Sequence, residues 1–274
     1  MLGDLRAELS KQLRRPSSWL LLAVAVVLSL TFGYLIPYAG LSGATSGPPG
    51  SDRGLASMLP DAFVGSALGG LPVFVGALAL IFGVLVAGSE YGWETWKTVL
   101  AQGTSRFAVY GAKLLTMAVG VLVLVLALFA AAAGASALVA VVQDQPPHWP
   151  AVTEVLKGLG GGWLITMMWG TLGIALAVVF RSVALPIGLG LVWLLAVQNL
   201  LTSIAAPLLA WVAEAQKGLP GPNAGALVAG LGASTNTPGV SQLVGSGQAA
   251  LVVAGYLLVF GGVGGWLLQR RDIG

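Results

Sequence analysis

The chain has 274 residues, of which 57% are hydrophobic and 8% charged, with a formal net charge of +3. An ordinary soluble domain carries about 25% charged residues, so this composition excludes a water-facing globular surface. Forty glycines scattered through apolar runs suit membrane helices, which carry more glycine than soluble ones, and the lack of cysteine excludes disulfides and thiolate metal sites.

Taken in chain order, residues 1–16 predict a short amphipathic helix. Leu2, Leu5, Leu9 and Leu13 repeat at three and four, charges fill the other face, and Pro16 breaks the pattern before Trp19. Such a helix lies at the membrane interface with leucines in the acyl boundary and basic residues toward anionic head groups. Six charge-free stretches follow, because charges are costly at the bilayer centre and spans fall in the gaps between them. They lie at about 18–38, 66–88, 114–141, 158–180, 183–208 and 247–268, each long enough to cross a ~30 Å hydrocarbon core. The first exceeds the apolar core of a cleavable signal peptide. The expected fold class is thus an all-α polytopic membrane protein, a single transmembrane domain over 1–274 with six transmembrane helices.

An even number of spans puts both termini on one side. That side holds Arg6, Lys11, Arg14, Arg15, Lys97, Arg106, Lys113, Arg181, Arg270 and Arg271, ten of the thirteen basic residues, against Arg53, Lys157 and Lys217 opposite. Lys and Arg favour the cytoplasmic side, so both termini are expected in the cytoplasm of a multi-pass protein of a prokaryotic inner membrane. The same distribution speaks against nucleic acid as a partner, since no stacking aromatics are interleaved with the basic positions.

The outer connections 39–65 and 209–246 are rich in Gly, Pro, Ser and Asn, which suits either short interfacial helices or solvated loops. His148, the single histidine, stands in a loop beside Pro147 and Trp149 without an evident partner base or nucleophile. Gln198 and Asn199 are amides within span 5, suited to contacting a substrate or to hydrogen bonding between helices. Gly65-x-x-x-Gly69 and Gly261-x-x-x-Gly265 offer small-residue faces for helix pairing, though matches of this kind arise easily in so glycine-rich a chain.

The inner loop 89–113 carries the densest signal. Glu90, Glu94, Lys97, Thr98 and Arg106 are polar, while Tyr91, Trp93, Trp96, Val99 and Leu100 form an apolar and aromatic side suited to burial against another protein. Gly103, Thr104 and Ser105 interrupt the helix, and Ser105 is placed to cap the next one. The expected form is helix, sharp turn, helix. Read residue by residue, an ordinary cytoplasmic loop with interfacial tryptophans fits equally well.

As a whole the arrangement resembles the permease subunits of the ABC-2 family of ATP-binding-cassette transporters. Ser89-Glu90-Tyr91, Thr95, Ser105-Arg106 and Lys113 fall in the order and spacing of that family's segment after the second span. Glu94 stands where glycine is usual and Gly103-Thr104 where proline is usual. Phe180-Arg181-Ser182-Val183-Ala184 is similar to the family's short basic inner turn, and Gln269-Arg270-Arg271-Asp272-Ile273 to its common ending.

The resemblance implies a transport subunit rather than an enzyme, one half of a permease pair formed with a copy or a paralogue. It further implies an export-type substrate pathway bordered by spans 1, 2 and 5 and a cytoplasmic ATPase dimer as partner. The chain lacks the Gly-x-x-x-x-Gly-Lys-[Ser/Thr] loop that cradles nucleotide phosphates, so no cofactor is expected on it, and ATP and Mg belong to the separate ATPase. The coupling segment is then 89–106, with Glu90 and Arg106 as charged contacts, Tyr91, Trp93 and Trp96 as the apolar part, and Thr95 and Ser105 matching the motif. Membrane lipids complete the partners. The spans hold no ionisable residue, which argues against an ion-coupled transporter and an intramembrane enzyme. A channel or scaffold subunit without ATP coupling is the competing class, and the apolar walls suit hydrophobic drugs, peptides or lipids alike.

Overall fold

A computed structural model describes residues 2–41, 54–92 and 105–270, and every regular element among them is helical. Helix α1 is Leu2–Arg14, and Pro16 at the first position of the next helix ends it, since proline tolerates that site but not a helix interior. Six helices are long and apolar enough to span a membrane: α2 (Pro16–Leu41), α4 (Phe74–Gly92), α5 (Arg106–Val142), α6 (Val152–Phe180), α7 (Ala184–Leu208) and α10 (Ser246–Arg270). Between them lie α3 (Phe63–Leu68), α8 (Ala210–Ala215) and α9 (Pro220–Gly230). With 37 residues, α5 is about 55 Å long and overshoots a hydrocarbon core of ~30 Å, which carries Arg106 and Lys113 beyond the apolar stretch 114–141.

Helices α4 and α6 form the centre. They cross with their backbones nearly touching, because glycines at 83, 170 and 173 on the seam leave room for the partner helix. A Cβ on Gly83 would overlap the Gly170 carbonyl, and one on Gly173 would overlap the Leu80 carbonyl. Trp169 is fully buried on the same seam, its ring over Gly76. With no hydrophobic force between helices in lipid, such close approach is the main source of association energy. Helices α5 and α10 pack around this pair, while α2, α7 and α10 turn large apolar side chains outward, among them Leu20, Val27, Leu35, Leu189, Leu200, Leu251 and Leu258. In a bilayer those faces meet lipid or another chain.

The two glycine pairs noted in the sequence are engaged within the chain. Gly65 lies against the backbone of Gly232, Gly264 and Gly265 lie against Tyr110, and the Tyr110 hydroxyl donates to the Gly261 carbonyl at 2.8 Å. They therefore build the bundle and are occupied as pairing faces. The described part of the first outer connection forms two short 3-10 turns at Leu55–Met58 and Pro60–Ala62. The second contains α9, in which Pro220 through Ala229 are all buried, so it is an inward-folded plug and not a solvated loop. Asn223 anchors it by donating from Nδ2 to the carbonyls of Lys217 and Leu219 at 2.7 and 2.8 Å. His148 is exposed in the loop between α5 and α6.

All the described termini of the charged side meet at one end of the bundle. There α1 packs on α5, the Gly88 position of α4 lies against Ser182 in the turn after α6, and Arg106 of α5 reaches the last turn of α10. Arg181 takes a left-handed conformation (φ 50°) that closes the tight turn from α6 to α7. Replacing Gly83 by leucine is expected to force α4 and α6 apart, at about 1–3 kcal/mol or more for overpacking. Thermal unfolding in detergent should show a clear fall for Gly83→Leu and little change for Gly188→Leu, where the added side chain meets open space.

Candidate functional site

The charged end of the bundle is organised by a buried ammonium. Lys113 is 1% exposed, about two turns inside the start of α5. Its Nζ donates to the Val86 carbonyl at 3.0 Å and to Glu8 Oε1 and Glu90 Oε1 at 3.4 Å each. Lys11 of α1 closes the arrangement, donating to the same two carboxylates at 2.9 and 2.8 Å. Two cations and two anions from three segments thus form a neutral cluster. Beside it, Arg15 donates to Ser89 Oγ at 3.0 Å and to the Leu85 carbonyl at 3.3 Å, tying the elbow between α1 and α2 to the last turns of α4.

The cluster explains how α1 sits. Its protein-facing side is polar, with Glu8 and Gln12 buried, while Leu13 is 64% exposed. The sequence predicts a helix held at the interface by its leucines and by basic residues toward head groups; the structure adds an anchor within the chain, because Lys113 needs carboxylates and α1 supplies one.

Of the positions the motif singles out, Glu90 is 3% exposed and turned into this cluster. Tyr91 packs partly buried against the core. Ser105 caps α5, its Oγ accepting from the Ala108 N–H at 3.2 Å. Arg106 donates to the carbonyls of Leu268 and Gln269 at 3.2 and 3.0 Å, where a cation meets the unsatisfied carbonyls at the end of α10. Trp93, Thr95 and Trp96 lie outside the described residues. Glu90 and Arg106 therefore stand at the two ends of the stretch 93–104 as anchors within the chain. Among the described residues, no group of acidic, histidine or cysteine side chains is arranged to hold a metal.

At the opposite end of the bundle, both amides of span 5 border the same cavity. Asn199 also donates from Nδ2 to the carbonyl of Leu195 in its own helix at 2.8 Å. Gln198 is 6% exposed and lines a cavity of about 240 Å³ with Thr202, Ser203, Gly221 and Ser241, and its Oε1 is buried with no hydrogen-bond partner. Helix α7 widens into π-turns on both sides of it, at Val192–Val197 and Leu201–Ala205, a distortion found often at functional positions. Gly221, at the start of α9, lacks a Cβ that would overlap the Gln198 amide. No charged side chain lines this cavity.

Removing one member of the buried cluster should cost on the order of 3–5 kcal/mol, since the remaining charges stay buried. Glu90→Gln and Lys113→Met are each expected to lower the unfolding temperature sharply, and the double variant to lose much less than their sum. A double-mutant cycle in detergent reads this, and additive losses would mean the two charges do not interact. Lys11 adds a pH dependence. Burial pushes its ammonium down, but the hydrogen bonds to Glu90 and Glu8 outweigh that and hold it above the ordinary value of 10.5. Its contribution is thus full below that value and disappears as pH rises through the raised one. Lys11→Met should be less stable than wild type at pH 7, with the gap closing well above pH 10.5.

Comparison with known proteins meets this geometry. No curated protein matches the sequence. The family model described as ABC-2 family transporter protein matches residues 5–197, from the N-terminal helix through the cluster to the middle of span 5. The match takes in most of the chain, including the charged joint, and ends just before Gln198; the chain belongs to the ABC-2 family of transporter membrane proteins.

Proposed function

We propose that the chain is the permease half of an exporter, that two such halves form the pathway, and that a separate cytoplasmic ATPase dimer drives them through the segment 89–106. The observation that carries this reading is the buried cluster of Lys113, Glu8, Glu90 and Lys11. It lies where the segment leaves α4 and re-enters α5, so displacement of residues 93–104 by a partner reaches α1, α4 and α5 together. Arg106 extends the linkage to α10. In this reading Trp93 and Trp96 make the apolar contact with the ATPase, while Glu90 and Arg106 hold the segment in place. The charged end is the cytoplasmic one, in keeping with the rule that Lys and Arg remain inside.

Rocking of the two permeases would expose the path between them alternately to the two sides. The uncharged cavity at Gln198 suits a substrate or substrate part that is neutral and donates hydrogen bonds, and the apolar spans suit a largely hydrophobic body. ATP and Mg bind the partner, since this chain carries no phosphate-binding loop.

The test is co-purification in mild detergent with the ATPase encoded beside the chain, together with ATPase activity in reconstituted membranes. Trp93→Ala with Trp96→Ala is expected to abolish retention of the ATPase and leave the permease folded. Glu90→Gln is expected to keep part of the retention but to uncouple hydrolysis from transport. If the wild-type chain retains no ATPase in several detergents, the channel or scaffold reading takes its place.

A further inference from the structure

A groove opens sideways where α1, α2, α4 and α5 meet, outside both the charged joint and the amide-lined cavity. Its volume is about 130 Å³, and its walls are almost entirely apolar, with Leu22, Leu78, Phe82 and Val123 along its length. The Phe82 ring packs closely on α5 because Gly120 has no side chain to displace it. The mouth faces outward beside exposed Leu13, Trp19 and Val123, in the zone where the spans meet hydrocarbon.

Two polar side chains at one end of this apolar groove each keep a buried polar atom without a partner. Gln12 is 7% exposed and Thr116 1% exposed, and Gln12 Nε2 and Thr116 Oγ1 are buried without a hydrogen-bond partner. The oxygen of the Gln12 amide accepts from the Ser18 hydroxyl at 3.0 Å, which leaves the nitrogen as a donor in need of an acceptor. Buried polar groups left unmatched are costly, so a site that keeps two of them is built for a ligand that supplies acceptors. Both stand at the α1 end. Thr116 and Leu124 are eight residues apart on α5, so the groove reaches about 12 Å from its polar end toward the bundle's middle.

We propose that this groove binds a glycerophospholipid of the leaflet on the α1 side. One acyl chain runs along Phe82 and Val123, and an ester carbonyl of the glycerol accepts from Gln12 Nε2 and the Thr116 hydroxyl. The polarity of the groove matches that of a lipid in place, with acceptors at interface depth and methylenes deeper. Charge is compatible with this, because α1 also carries the exposed basic residues Arg6 and Arg14, which suit anionic head groups at the interface. A bound lipid here would wedge between α1 and α4, next to the cluster that holds them.

The proposal is tested by titrating phosphatidylglycerol into delipidated, detergent-solubilised protein and counting bound lipids by native mass spectrometry. Wild type is expected to take up one molecule ahead of the rest. Thr116→Val with Gln12→Leu removes both donors and should weaken that first binding step roughly tenfold, about the worth of one to two hydrogen bonds. Val119→Trp fills the groove from an exposed position and should abolish the first step, and unfolding temperatures confirm that each variant is folded. The proposal is overturned if wild type shows no distinguished first molecule, or if both variants bind it as wild type does.

Discussion

An ammonium that is taken out of water must be given carboxylates at hydrogen-bond distance, and Lys113 obtains them from two segments far apart in the chain, Glu8 and Glu90. Neither carboxylate is neutralised by Lys113 alone, so Lys11 joins as the second cation. The arrangement is stable only when α1, the end of α4 and the start of α5 are all present. Low dielectric makes it an all-or-none joint: complete, it is nearly neutral in energy, and with any member missing it leaves a buried charge unmatched. The placement of α1, the elbow at Arg15 and the direction in which the chain leaves α4 all follow from this requirement.

A joint of this kind has a mechanical meaning in a transporter. Helices in lipid slide past one another at little cost where only apolar side chains meet, but a charge network resists separation and fixes register. The seam between α4 and α6 supplies stiffness by backbone contact through Gly83, Gly170 and Gly173, and the ionic joint ties α1 and α5 to that stiff pair. The faces of α2, α7 and α10 remain apolar and outward. The molecule thus has a rigid centre, a charged end where force is applied in the proposed mechanism, and a surrounding of helices free to meet lipid or a second permease.

At the other end, the plug formed by α9 shapes the polar cavity at Gln198. The π-turns of α7 widen that helix so that the amide turns toward Gly221, and the glycine leaves the space it occupies. Both the amide-lined cavity and the lipid groove keep buried polar atoms without partners, and in both the unmatched group sits beside an opening. In the proposed mechanism such unmatched groups, rather than charges, would confer chemical preference on an otherwise apolar path.

The sequence by itself determined the number of spans, since charge exclusion from hydrocarbon is a property of composition along the chain and needs no packing to be read; it did not show that the second begins at Phe74 and not at 66, because Phe63–Leu68 and the turn after it are as apolar as the span itself. It also marked the segment after span 2 and the cap at Ser105, which are local. It did not reveal that Glu90 and Arg106 turn to partners within the chain, because Glu8, Lys11 and Leu268 are distant in sequence and only the fold brings them near. The plug α9 was hidden for a different reason: Pro220–Gly230 is too short to span a membrane and too rich in glycine and proline to look helical, and it is helical because the surrounding bundle buries it. The same holds for Gln12 and Thr116. Their residue types are unremarkable in isolation, and only tertiary structure decides that they end an apolar groove with their hydrogen bonds unmade.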